Sequence, residues 1–251
     1  LMHAYGDNIL YLDADLEIER GDKIALLGPN GCGKSTLLRL LIGKEKPMEG
    51  TVCLGEHNIK PAYFEQNQAE ALDKNKTVLA TIADDIHNWK DTEIRGLLGR
   101  FLFSDDSVYK KVSDLSGGEK ARLAMAKLLT TSANFLILDE PTNHLDIPAK
   151  ETLETAIQKF DGAVVIVSHD RYFISKVANK IIEIKDNGFK IYDGDYDYYL
   201  DRIEKEKEAQ LALEQESENA IRQAAKREKR LNKEQARKQA RKDGKVQQDS
   251  Q

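Results

Sequence analysis

Apolar residues in this chain fall into short blocks with two distinct periods. Ile24-Ala25-Leu26-Leu27, Phe135-Leu136-Ile137-Leu138 and Ala163-Val164-Val165-Ile166-Val167 are unbroken runs, the length and texture of strands buried on both faces. Between and after the last two, helical spacing predicts helices over 149–160 and 172–178. Such strand–helix alternation belongs to an α/β fold with a parallel sheet. Residues 1–27 alternate differently, with Ile9, Tyr11, Leu16 and Ile18 apolar between polar neighbours, which predicts antiparallel strands. Thr51-Val52-Cys53-Leu54 and Ala62-Tyr63-Phe64 read as further short strands, and Ile181–Ile184 and Lys190–Tyr192 as closing ones.

The texture changes between Gln68 and Asp114. Short helical patches there, with Trp89, Leu97-Leu98 and Phe101-Leu102-Phe103 as core contacts, predict a small helical subdomain inserted into the sheet. Another helix is predicted over Lys120–Thr130, where Leu123, Ala124, Ala126 and Leu128 recur at helical spacing. Beyond Tyr199 the globular pattern stops. Glu204–Gln239 is rich in Ala, Glu, Lys, Arg and Gln, a composition that favours a long solvent-exposed helix. Lys242–Gln251 reads as disordered. The predicted division is a domain over 1–200 and a charged extension over 201–251.

Composition narrows the class. Among 251 residues, no apolar run approaches the ~20 needed to cross a bilayer. Tyr5-Gly6-Asp7-Asn8 interrupts any secretory signal at the start, although the chain opens as if already within a strand, leaving room for upstream sequence. Cys32 and Cys53 lack metal-site spacing, as expected of reduced thiols. The net charge of −5 hides an asymmetry: residues 220–245 carry +8, leaving −13 elsewhere. A basic tail on an acidic body points to a polyanion such as RNA, or else to a solvated helix face.

The chemistry begins at Gly28-Pro29-Asn30-Gly31-Cys32-Gly33-Lys34-Ser35-Thr36, which satisfies G-x-x-x-x-G-K-[ST] between a predicted strand and the helix Lys34–Ile42. Glycines let backbone N–H groups curl around phosphates, and the helix adds its positive end. Lys34 then meets the β- and γ-phosphates and Ser35 ligates Mg²⁺. Asp139 and Glu140 end an apolar strand, where α/β sheets place ligands. There Asp139 holds Mg²⁺ and Glu140 orients and deprotonates the attacking water. His169 ends the next strand and is aimed at the same γ-phosphate, whereas His3, His57 and His87 read as surface or loop residues. Gln66 ends another strand, where it could touch Mg²⁺ and water, with Gln68 as an alternative. An aromatic ring on the first strands could stack on adenine; Tyr5 is favoured over Tyr11.

Leu115-Ser116-Gly117-Gly118-Glu119, downstream of this loop, resembles the signature of ATP-binding cassettes, and the motif order resembles that superfamily across about residues 1–200. Asp139-Glu140-Pro141-Thr142-Asn143-His144-Leu145-Asp146, LSGGEKAR at 115–122 and Ser168–Phe173 look like its F-type members. Gly55–Asn58 and Tyr63–Glu70 look closest to plant and algal ones. The resemblance implies a RecA-like parallel core, an antiparallel β subdomain and an inserted helical subdomain. It implies ATP and Mg²⁺ as ligands, Ser116–Glu119 reaching a nucleotide held by a second cassette, Leu145-Asp146 as D-loop and His169 as switch. It also implies two cassettes in one polypeptide, this being the second, without a membrane domain, acting on ribosomes in cytoplasm or plastid stroma. A membrane transporter's motor subunit stays the alternative.

Overall fold

The computed structural model describes residues 1–55, 58–65, 68–84, 86, 89–104, 106–143 and 145–216. The chain divides into two units, Leu1–Tyr199 and Leu200–Gln251. In the first, β1 (His3–Tyr5) and β2 (Asn8–Tyr11) form an antiparallel hairpin with an irregularity between His3 and Ala4. A six-stranded sheet follows, built from β3 (Lys23–Leu27), β4 (Pro61–Phe64), β5 (Phe135–Asp139), β6 (Ala163–Val167), β7 (Lys180–Lys185) and β8 (Gly188–Tyr192). Its order is β4-β5-β6-β3-β7-β8, with every neighbouring pair parallel except β7 and β8.

The unbroken apolar runs are explained by two cores, one on each face. Successive strand residues point to opposite faces. Phe135 and Ile137 of β5, with Val165 and Val167 of β6, join Ile24, Leu26, Leu38 and Tyr11. Leu136 and Leu138, with Val164 and Ile166, instead join the helices behind the sheet. Polar residues within either run would sit inside a core.

Six helices carry labels: α1 (Lys34–Leu41), α2 (Val78–Ala83), α3 (Asp91–Arg100), α4 (Gly117–Leu129), α5 (Ile147–Gln158) and α6 (Arg171–Val177). α1 stops where Gly43 turns left-handed (φ 71°) and the N–H groups of Gly43 and Lys44 donate to the carbonyls of Leu40 and Arg39. α2, α3 and three short 3₁₀ turns make up the inserted helical part, whose core holds Ile82, Ile94, Leu98, Phe101 and Phe103.

Five expectations are corrected. Leu16–Ile18 and Thr51–Leu54 are not strands. A strand needs a neighbour, and the available pairing stops short of them. Leu1 exchanges backbone hydrogen bonds with Ala14, and Met2 with Glu49, after which the two stretches flank a cavity of about 610 Å³. Trp89 is 42% exposed, lying before α3, whose core side is filled by Ile94 and Leu98. Leu102 points outward as well: its left-handed backbone (φ 63°) reverses the chain so that Phe103 packs back instead. His3 is buried on β1 rather than at the surface, its Nε2 3.2 Å from Glu45.

In the second unit residues 200–216 are helical, with Lys205 paired to Asp201 one turn away. The basic segment 220–245, and with it the predicted helix beyond 216 and disordered end, lies outside the described residues, as do His57 and His87. No helix among the described residues is long and apolar enough to cross a membrane.

Candidate functional site

Because β3, β5 and β6 run parallel and adjacent, their carboxyl ends deliver three loops to one edge. β3 delivers Gly28–Thr36. Gly28, Gly31 and Gly33 all take positive φ there, 150°, 82° and 105°. Gly33 has a second reason to lack a side chain, since a Cβ would lie 2.5 Å from the Tyr11 hydroxyl, which donates to the Gly33 carbonyl at 2.6 Å. Pro29, Asn30, Gly31 and Ser35 are exposed, Cys32 is half-buried, and Thr36 is buried as α1 enters the core. The Lys34 ammonium folds back across the loop, donating to the carbonyls of Gly28 (2.8 Å) and Pro29 (3.0 Å). A glycine-rich turn of this kind, with one lysine beside it, is the sort of loop whose backbone N–H groups can cradle a phosphate.

β5 delivers Asp139 and Glu140. Burial pushes the Asp139 carboxyl up from its ordinary value, opposed by hydrogen bonds from Tyr63 and Ser35; the Tyr63 hydroxyl donates at 3.3 Å. A half-buried carboxylate beside a hydroxyl is an oxygen donor set suited to a hard divalent cation. Glu140 adopts a left-handed backbone (φ 50°), and its N–H donates to Val167 O at 2.8 Å, stitching the end of β5 to β6. Across that stitch the His169 N–H donates to Glu140 Oε2 at 3.3 Å, and His169 Nε2 stands 3.5 Å from Oε1. Burial also raises the Glu140 carboxyl, against the pull of His169. The imidazole itself is largely exposed. Below the pair, the buried hydroxyls of Thr142 and Ser168 bond at 3.2 Å, holding the two loops together.

The Leu115–Glu119 segment is built differently. Ser116 caps α4 in a reciprocal box: Glu119 N–H donates to Ser116 Oγ at 3.3 Å, and Ser116 N–H donates to Glu119 Oε2 at 2.7 Å. Those bonds draw the Glu119 carboxyl below its ordinary value. Ser116 and Gly117 are exposed. None of their described hydrogen bonds reaches Gly28–Thr36. Asp146 caps α5 by accepting from Ala149 N–H at 3.2 Å, and it also accepts from Arg122 Nη1 at 2.8 Å. Arg122 lies three residues past Glu119 in LSGGEKAR, but nothing in its spacing pointed to Asp146.

The two aromatic candidates part company. Tyr11 is fully buried and spent on Gly33, whereas Tyr5 is 48% exposed. The Tyr5 hydroxyl donates to Glu45 and accepts from Arg39 Nη2 at 3.1 Å. Sequence reading missed Arg39 and Glu45, which carry no motif. Gln66 lies outside the described residues. Gln68 opens a 3₁₀ turn, its side chain accepting from Glu65 N–H.

Comparison with known proteins gives the family. The model described as "ABC transporter" matches residues 11–143, more than half of the chain. ABC transporter F family member 5 of Arabidopsis thaliana is 56% identical over 214 residues, covering 83% of this chain and 31% of that protein. The energy-dependent translational throttle protein EttA of Escherichia coli (strain K12) is 40% identical over 204 residues, 79% of this chain and 36% of that protein. The chain thus spans about a third of these relatives' length. Among solved structures, a post-hydrolysis ATP-binding cassette bound to ADP and Pi aligns with a TM-score of 0.60 at 22% identity, over 76% of this chain and 94% of that one. With the phosphate loop, the Asp139-Glu140 strand end and the LSGGE helix cap on one such fold, this chain belongs to the ABC transporter family, as an ATP-binding cassette of its F type.

Proposed function

We propose that this cassette binds and hydrolyses ATP with Mg²⁺ in a composite site shared with a second cassette, and that the pair works as an ATP-timed clamp on the ribosome. One observation carries the reading. Glu140 and His169 meet at the edge that presents the phosphate loop, while Ser116–Glu119 cap a helix with no described bond to that loop. Each half-site therefore wants a complement from elsewhere.

The loop N–H groups and Lys34 grip the phosphates, Lys34 exchanging its two carbonyl partners for phosphate oxygens. Ser35 and Asp139 would hold Mg²⁺, which would supply positive charge against that of the phosphates. Gln66 would contribute a polar contact to that ion and to the attacking water. Glu140 takes a proton as water attacks the γ-phosphorus and the bond to the β-phosphate oxygen breaks, giving ADP and phosphate. His169 donates to the γ-phosphate oxygens. The Tyr5 ring stacks on adenine. Ser116 and the N–H groups of Gly117 and Gly118 cover the partner's γ-phosphate, with Glu119 holding that turn and Asp146 bordering the seam. Loss of the γ-phosphate then releases the pair.

The ribosome as target rests on the F-type resemblance and on the relative named a translational throttle; cytoplasm or plastid stroma as compartment rests on that resemblance alone. The test is cosedimentation of the full-length two-cassette protein with ribosomes. A non-hydrolysable ATP analogue is expected to hold it in the pellet and ADP to release it. Pelleting indifferent to nucleotide, or copurification with a transmembrane subunit, would overturn the ribosomal reading.

A further inference from the structure

A cluster beside the phosphate loop has no role in that chemistry. Glu45, just past α1, accepts from the Tyr5 hydroxyl and from Arg39 Nε at 3.0 Å, and its Oε1 lies 3.2 Å from Nε2 of the buried His3. Arg39 reaches Tyr5 and also donates to Thr36 Oγ1 at 3.2 Å. The rings of His3 and Tyr5 meet edge-to-face, centroids 5.1 Å apart. A ring that is nearly half exposed is thus gripped at its hydroxyl end. The grip runs to the very helix whose first turn carries Lys34, Ser35 and Thr36.

We infer that Arg39 and Glu45 are positioning residues that fix the Tyr5 ring at a set distance from the phosphate loop, so that the site gauges the span from base to phosphates. This rests on the reading of Tyr5 as the adenine-stacking residue. Physical reasoning favours a gauge over mere bracing of the hairpin. A brace would bury its aromatic, as Tyr11 is buried under the loop. Here the aromatic is left open, and only its polar end is held. A stacking ring free to swing would have to be ordered each time nucleotide binds, at a cost in affinity. Hydrogen bonds made beforehand to a carboxylate and a guanidinium remove that cost.

The prediction separates the two ends of the ligand. In the 251-residue chain, Glu45→Ala and Tyr5→Phe are expected to weaken ATP binding by roughly three- to tenfold, the worth of one or two hydrogen bonds. Both are expected to leave inorganic tripolyphosphate binding unchanged, because the loop itself is untouched. Glu45→Gln, which keeps an acceptor for the Tyr5 hydroxyl, is expected to recover part of the loss. Calorimetric titration of each variant with ATP and with tripolyphosphate reads both quantities, and Tyr5→Phe decides alone if Glu45→Ala does not fold. Equal weakening of both ligands, or unaltered ATP affinity in both variants while Tyr5→Ala binds ATP poorly, overturns the gauge and leaves the stacking role intact. Unaltered ATP affinity in Tyr5→Ala removes the stacking role itself.

Discussion

Glu140 and His169, 29 positions apart in sequence, bond through a backbone donor: the His169 N–H reaches Glu140 Oε2 at 3.3 Å. The carboxylate is thereby aimed by the backbone just past β6 and does not depend on the exposed imidazole alone for its orientation. Glu140→Gln keeps the shape and an acceptor for that N–H but cannot take a proton. It is expected to bind ATP normally and to lower kcat by about 10²–10⁴-fold, the usual worth of a positioned general base. Single-turnover hydrolysis in the two-cassette protein measures this, and near-normal turnover would remove Glu140 from the role. His169→Ala is expected to lower kcat while leaving the fold intact, because only the imidazole is lost.

Acid sensitivity follows from the same carboxyl. Burial raises it above the ordinary 4.5, and only the deprotonated form acts as base. Activity is therefore lost as pH falls through that raised value, and the acid limb of kcat should lie above 4.5. Stability moves oppositely. A carboxyl raised in the folded state favours folding while protonated, at low pH, and gives up that contribution as pH rises through its folded value. Glu140→Gln should abolish this part of the stability profile. A kcat limb at or below the ordinary glutamate value would contradict the burial argument.

Much of this site was legible because the chemistry leaves marks at fixed spacings. Gly28–Thr36, Asp139-Glu140 and His169 each follow an apolar run that must be a strand, and parallel pairing of those runs forces them to one edge. Leu16–Ile18 and Thr51–Leu54 show the limit: alternation reports which side chains suit a sheet, but pairing depends on a neighbour that local sequence does not reveal. Trp89 and Leu102 fail for another reason, since apolar character states a preference for burial and α3 had already filled its core with Ile94 and Leu98. Arg39, Glu45 and the Arg122–Asp146 bond escaped because long-range side-chain pairs of ordinary charged residues carry no periodic signal.

Arg122 is mostly buried, its guanidinium 5.9 Å from the Phe103 ring centre and bonded to Asp146. It links the helix that begins at the LSGGE cap to the cap of α5. Because Asp146 is half exposed, the bond itself is worth about 0.5–1 kcal/mol. Asp146→Asn preserves the helix cap while removing the charge, so a double-mutant cycle with Arg122→Ala isolates the link. The expected coupling is of that size by chemical denaturation, and a coupling of zero would show that Arg122 serves only through packing.

Gly33→Ala meets two obstacles at once. Its φ of 105° is costly for any residue with a Cβ, and that Cβ would strike the Tyr11 hydroxyl. A loss of about 2 kcal/mol or more is expected. Tyr11→Phe in the same chain removes the obstructing oxygen and should restore part of it, leaving the backbone strain. If the double variant is no more stable than Gly33→Ala, the collision with Tyr11 is not the cause.

Ser116 has one duty seen in the fold and a second proposed above, and substitution can pull them apart. As the cap of α4 it accepts the Glu119 N–H, and Ser116→Ala should cost about 1 kcal/mol, lowering Tm by roughly 2–4 °C in a domain of this size. Aspartate is as good a cap as serine, and its charge suits a helix amino terminus. Ser116→Asp should therefore melt close to the parent chain. Facing a partner's γ-phosphate, however, that carboxylate sets like charge against like, a repulsion that disfavours closing of the pair. Two-cassette protein carrying Ser116→Asp is thus expected to keep its Tm and its binding of ATP at the phosphate loops, yet to lose ATP-driven closure, read by fluorescence transfer between labels on the two cassettes. Closure as tight as in the parent would mean that Ser116 faces no phosphate and that the LSGGE turn is a helix cap alone.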